Sequence, residues 1–266
     1  MTEYFITTFQ KAKNQINSIL QKPKITKNSV SVILIAALSL VCIRYLKTTS
    51  DLLAFLEYLQ LTAWRDSLIQ FRSEVHDYQL FDLCYWALCR FFFYLVIPIL
   101  LIKLVLKKKL SDFGWRISGE FKKTITIFIL FFAFMLPLVY MVSLQGSFIH
   151  KYPFYHPESQ GDLWPNLIIW ELLYFVQFVA LEFFFRGFIV HGFKKEIGDY
   201  SVLIMVIPYC MIHFQKPFLE TIGAIFAGFI LGYLSLRKNS IGTGIALHFA
   251  VAVSMDIFAL YHQGFI

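Results

Sequence analysis

The sequence predicts an all-α membrane protein, a single polytopic bundle of seven to eight transmembrane helices. Three observations carry this reading. Apolar residues make up 58% of the 266 positions, and 30 positions are Phe, whereas a soluble domain has about 45–50% apolar residues. Charged residues fall to 15%, against about 25% in a soluble domain. The apolar residues are also gathered into runs close to the roughly 20 residues a helix needs to cross hydrocarbon. A soluble globule of this size could not bury so much apolar surface, and the same composition excludes disorder and a secreted disulfide scaffold. Lipid offers the backbone no hydrogen-bond partners, so helices are expected throughout.

Residues 1–28 form a basic segment with Lys11, Lys13, Lys22, Lys24 and Lys27. The first apolar run follows without a small-residue cleavage site, so it reads as a retained anchor rather than a removed signal. Spans are expected near 29–46, 79–106, 123–142, 167–191, 200–214, 218–236 and 240–260. The fifth is short for a crossing at about 1.5 Å per residue. Residues 29–164 thus hold the N-terminal transmembrane helices, and 165–260 a C-terminal group. Between the first two spans, near 51–77, Leu52, Phe55, Leu56, Leu59, Trp64, Leu68, Ile69 and Phe71 recur at helical spacing among charges, as in an amphipathic helix lying on a membrane. Residues 144–166, rich in Pro, Gly and Ser, read as an outer loop.

Cytoplasmic connections of membrane proteins collect Lys and Arg. With the N-terminus inside, the inner connections hold fifteen of them and the outer ones five. This favours a multi-pass protein of a bacterial-type cytoplasmic membrane with its N-terminus in the cytoplasm. The net charge of +7 is then a signal of topology and of contact with membrane lipid, not of nucleic-acid binding, because the basic residues sit at membrane ends. Cys42, Cys84, Cys89 and Cys210 lie in apolar segments with no pairing or metal spacing and read as free thiols.

An ionisable group at the centre of a span costs about 2.5–3.5 kcal/mol on insertion scales, so those retained pair, face water or act. In the fourth span Glu182 and Arg186 are four residues apart and share a face, and Glu171 lies on that face three turns away. His213 ends the fifth segment, and His248 and Asp256 lie in the last. Asp82 and Arg90 are expected to pair, as are Lys216 and Glu220, and His191 is expected at the membrane interface. A carboxylate and two histidines meeting in a wet pocket can activate a water and stabilise an oxyanion. Glu182, His213 and His248 could also bind a divalent metal such as zinc. The competing readings are a structural ion pair with hydrogen-bonded histidines, or a transport pathway lined by buried charge.

Leu181-Glu182-Phe183-Phe184-Phe185-Arg186-Gly187 resembles the first motif of the CPBP family, the CAAX-protease and bacteriocin-processing membrane proteins related to the type II CAAX prenyl endopeptidase. That motif reads Glu-Glu-x-x-x-Arg. Tyr209 to His213 is similar to the second motif, an aromatic residue followed by x-x-x-His, and His248 opens the third, His-x-x-x-Asn or Asp. Gly228–Leu234 resembles the helix between the second and third motifs.

The resemblance covers about residues 165–260 and implies an intramembrane endopeptidase of the metallo or glutamic type acting on membrane-associated peptides or proteins. It implies Glu182 and His213 as holders of the water, Arg186 as the motif arginine and His248 as the oxyanion stabiliser. Two positions depart: Leu181 stands where the family has its first Glu, and Ala252 where it has Asn or Asp. A Leu cannot take a proton and an Ala side chain cannot donate a hydrogen bond. Glu182 is therefore expected as the base if the chain is an enzyme. A catalytically inactive relative that binds or scaffolds peptides, and a transporter, are the alternatives.

Overall fold

A computed structural model describes residues 26–116 and 119–266; the basic residues Lys11, Lys13, Lys22 and Lys24 lie outside it. The described residues contain helices and no strand. Among the described residues six helical stretches are long and apolar enough to cross a membrane: Lys27–Leu46, Tyr78–Val105, Lys122–Ser143, Gln160–Ile197, Phe218–Lys238 and Gly242–His262. The seventh apolar helix, Tyr200–Met211, has 12 residues and spans about 18 Å, short of the roughly 30 Å of hydrocarbon. These six spans and the short helix correspond one to one to the seven segments expected. The chain is an integral membrane protein, a polytopic helical bundle.

Helix α1 (Lys27–Leu46) starts on a capping box in which the Thr26 and Ser29 side chains each accept from the other's backbone N–H, at 3.2 and 3.0 Å. Its buried stripe, Ser29, Val32, Ala36, Ser39 and Ile43, runs at three- and four-residue steps. Leu34 and Leu38, on the other side, are more than half exposed, as suits a lipid face.

The expected amphipathic helix is two helices, α2 (Thr49–Tyr58) and α3 (Thr62–Glu74). Gln60 breaks them by taking a left-handed conformation, φ 58°. Gln60 N donates to Glu57 O and Leu61 N to Leu56 O, both at 2.9 Å, the pair of bonds that ends a helix at a left-handed residue. A Gly there would have announced the break; Gln does not.

Helix α4 (Tyr78–Val105) widens into π-helical turns at Phe92–Val96 and Leu101–Val105, on either side of Pro98. Pro98 has no N–H to donate, and wider turns absorb such a gap. The expected Asp82–Arg90 pair does not form. Asp82 instead accepts from Arg72 at 2.7 and 2.9 Å and from Thr49 at 2.9 Å, tying α2 and α3 to α4. An eight-residue gap puts two side chains on one helix too far apart to touch, whereas α3 brings Arg72 back alongside.

Helix α5 (Phe121–Ser143) packs along the C-terminal helix and shows most of its surface outward. The 144–166 connection, though exposed at many positions, is anchored to the bundle by its aromatic residues. Phe148, Tyr152 and Tyr155 are each no more than 2% exposed. Tyr155 Oη and Asn166 Nδ2 donate to Asp77 Oδ2 at 3.1 and 2.8 Å, and Gln263 Nε2 donates to the carbonyls of Ile149 and Tyr152. Its aromatic residues fold it down onto the bundle.

The centre is α6 (Asn166–Glu182), which continues through a π-helical stretch, Phe183–His191, into α7 (Gly192–Ile197). Every residue of Phe183–His191 is buried, Arg186 and His191 included. His191 is buried, and its Nε2 lies 3.0 Å from Ser235 Oγ inside the bundle. Around α6 stand α4, α8 (Tyr200–Met211), α9 (Phe218–Lys238) and α10 (Gly242–His262).

Candidate active site

Two rows of side chains at four-residue spacing face each other where α6 and α10 pack. Trp170, Tyr174, Phe178, Glu182 and Arg186 form one row. Gly244, His248, Ala252 and Asp256 form the other, in antiparallel register. The pairing is read directly from the contacts. Trp170 Nε1 donates to Asp256 Oδ2 at 3.0 Å, Tyr174 and Phe178 share an apolar cluster with Ala252, and the Phe178 ring lies 4.4 Å from the His248 ring. His248 reaches Glu182, and Gly244 abuts it. Such i, i+4 ridges are the ordinary surface by which helices interlock.

Glu182 is fully buried. Its Oε1 is 3.1 Å from Arg186 Nη1 and 2.8 Å from His248 Nδ1. A carboxylate accepts, so His248 Nδ1 carries the proton in this contact and Nε2 is the ring nitrogen with the free lone pair. Glu182 Oε2 has no hydrogen-bond partner among the described residues. It lies against the backbone of Gly244, where a Cβ would stand 2.5 Å away. Glycine at 244 is what lets α10 come close enough for His248 to bond Glu182.

Arg186 lies flat on Tyr209, with Cζ 3.9 Å from the ring centroid. A guanidinium over an aromatic face is held by the ring quadrupole. Tyr209 in turn packs against His213 at 4.8 Å and His248 at 6.4 Å between ring centroids. Tyr209 is thus the hub that places Arg186, His213 and His248 around one ring. Gly228 seats it, since a Cβ on Gly228 would stand 2.9 Å from Tyr209 Cδ1. Tyr209 opens the second motif, and its four-residue spacing to His213 was the available signal for this role.

The four expected site residues are therefore brought together in two ways. Glu182, Arg186 and His248 touch directly. His213 joins through Tyr209, and its Nδ1 is 2.8 Å from the Tyr209 carbonyl, which leaves Nε2 as its free nitrogen. His213 follows the 12-residue α8 at its C-terminal end.

Glu171 does not join this group. Its buried Oε2 has no hydrogen-bond partner among the described residues. Leu181 and Ala252, at the departing motif positions, are 5% and 3% exposed and lie in apolar clusters.

Among the described residues no group of three His, Cys, Asp or Glu side chains is set to hold an ion. Of the expected set, Glu182 Oε1 and His248 Nδ1 face each other at 2.8 Å, and His213 stands across the Tyr209 ring.

No curated protein and no solved structure matches the chain. Residues 163–254 match a family model described as Type II CAAX prenyl endopeptidase Rce1-like. That stretch contains Glu182, Arg186, Tyr209, His213 and His248, in agreement with the CPBP resemblance of the three motifs. Residues 163–254 are thus similar to the type II CAAX prenyl endopeptidase Rce1-like family, consistent with the CPBP resemblance.

Proposed function

We propose that the protein is an intramembrane endopeptidase that hydrolyses peptide bonds of membrane-associated substrates with a water activated by the Glu182–His248 pair. The observation that carries this reading is the 2.8 Å contact from His248 Nδ1 to Glu182 Oε1. A buried carboxylate that fixes the tautomer of a histidine turns its other nitrogen into a base, the logic by which an acid orients the histidine of a hydrolytic triad. His248 Nε2 takes a proton from the attacking water and returns it to the leaving amine. Glu182 holds the ring and stabilises the imidazolium that forms. Arg186 keeps Glu182 ionised, and Tyr209 holds Arg186 in place. His213, on the far side of the Tyr209 ring, positions the substrate carbonyl or the water through Nε2. This assignment moves the base from Glu182 to His248, since Glu182 Oε1 is engaged twice and Oε2 faces backbone.

The test is hydrolysis of a library of membrane-inserting peptides by the purified protein. His248→Ala and Glu182→Gln are expected to lower the rate by about 10²–10⁴-fold, the range for a positioned acid–base group. Unchanged rates in both variants exclude this pair from the chemistry.

The apolar surroundings of Leu181 and Ala252 favour a second reading, a non-catalytic relative that binds membrane peptides. It expects no turnover by the native protein, and peptide binding that survives His248→Ala.

A further inference from the structure

The wide turn that carries Arg186 is held at its backbone by residues outside the three motifs. The Arg186 carbonyl accepts from Ser235 Oγ of α9 at 3.4 Å, and His191 Nε2 lies 3.0 Å from the same hydroxyl. All three residues are buried. A hydroxyl has one hydrogen to give. With that hydrogen on the Arg186 carbonyl, His191 Nε2 carries its own proton and donates to Ser235. The donors then run one way, from His191 to Ser235 to the Arg186 backbone. His191 Nδ1 keeps the lone pair, and it has no hydrogen-bond partner among the described residues.

The short turn Leu110–Phe113 and the Gly114 that ends it hold the same stretch at a second point. A Cβ on Gly187 would stand 2.8 Å from the Phe113 carbonyl, and one on Gly114 would stand 3.0 Å from His191 Nε2. Ile241 N donates to the Gly114 carbonyl at 3.0 Å, which fixes this turn to the start of α10.

The backbone matters here because the side chain has few other guides. Nε, Nη1 and Nη2 of Arg186 make no aligned hydrogen bond among the described residues. Nη1 meets Glu182 as an ion pair at 3.1 Å, and the guanidinium lies on the Tyr209 ring at 3.9 Å. Neither contact fixes a direction as a hydrogen bond does. A buried carbonyl in a widened turn needs a donor, and the donor that supplies it also sets where the turn sits. We propose that Ser235, oriented by His191, is a positioning residue that acts through the Arg186 carbonyl to aim Arg186 at Glu182. Its effect on rate rests on the peptidase reading above; its effect on the ion pair does not.

The test places Ser235→Ala in two backgrounds, the native chain and the chain carrying both Glu182→Leu and Arg186→Met, and follows reversible unfolding in mixed micelles. The second background has no guanidinium to aim but keeps a carbonyl at 186. In the native chain Ser235→Ala is expected to lower the folding equilibrium constant about tenfold, and in the second about threefold or less, since there only a carbonyl loses its donor. His191→Phe keeps a ring and removes the donor to Ser235. It should show the same difference, and it decides the matter if Ser235→Ala does not fold. Equal losses in both backgrounds overturn the proposal, because Ser235 then satisfies a carbonyl and aims nothing.

On a hydrolysed peptide, Ser235→Ala is expected to lower kcat about tenfold with KM within about twofold, and Ser235→Thr, which keeps the hydroxyl, to recover most of the loss. A loss carried by KM with kcat unchanged overturns the proposal as well. If the native protein hydrolyses no peptide, the peptidase reading fails and the comparison of the two backgrounds alone decides the positioning role.

Discussion

Three side chains decide what this membrane interior can hold: Glu182, Arg186 and His248. An ionised group with no partner would not remain in such surroundings, and each of the three answers another. Replacing Arg186 with Gln leaves the Glu182 charge buried with only His248 beside it. That should destabilise the fold by about 3–5 kcal/mol, the range for breaking a buried pair. The double replacement Glu182→Leu with Arg186→Met removes both charges at similar volume and should recover most of the loss, while abolishing hydrolysis. Reversible unfolding in mixed micelles measures both; a single Arg186→Gln variant as stable as the native protein would deny the pair its structural role. The partnership of Glu182 with Arg186 was legible from four-residue spacing. The bond to His248 was not, because 66 residues separate the two and only the packing of α6 on α10 joins them. For the same reason Arg90 was matched on paper with Asp82, its neighbour in sequence, when the fold gives Asp82 to Arg72.

At the scale of elements, helix lengths and apolar stripes follow from composition and period, and the observed spans lie within a few residues of those expected, except for the longer fourth stretch. Local irregularities do not follow. The π-helical stretch Phe183–His191 holds Arg186, and nothing in a run of Phe and Val declares the wider turn. Such turns recur where a helix must aim a functional side chain. Gln60 is another irregularity, a residue with a Cβ in a left-handed conformation, which costs about 1–2 kcal/mol relative to the right-handed form. Gln60→Gly should therefore raise stability by about 0.5–1 kcal/mol after allowing for the freedom glycine gains when unfolded. A shift of the unfolding midpoint in the opposite direction would show that the Gln60 side chain supplies something the break itself does not.

For the molecule as a whole, the distribution of Lys and Arg remains the argument for orientation. It expects Lys195 on the cytoplasmic side and Glu158 on the other. With the four native cysteines replaced by Ser, a Cys at 195 should resist a membrane-impermeant maleimide in intact cells and react after lysis, while a Cys at 158 should react in both. The reverse pattern would invert the topology and place the Tyr152–Lys216–Glu220 group on the cytoplasmic side. The connection that holds Tyr152 reads as an outer loop from its Pro, Gly and Ser content. Its Phe148, Tyr152 and Tyr155 instead bury themselves in the bundle, since aromatic rings beside a polar backbone gain by covering the helix ends.

What the sequence determined by itself is local or additive: that the chain is helical and membrane-embedded, where the long helices run, and which side chains carry charge at an energetic penalty. Motif order along the chain also marked Glu182, Arg186, His213 and His248. What only the tertiary structure decided is which of those charges meet. Electrostatic pairing and ring packing act over a few ångström in space, whatever the distance along the chain. Gly244 admits His248 to Glu182, Tyr209 sets His213 apart from them, and Arg90 is left without a carboxylate because helices α3, α4, α6 and α10 cross as they do.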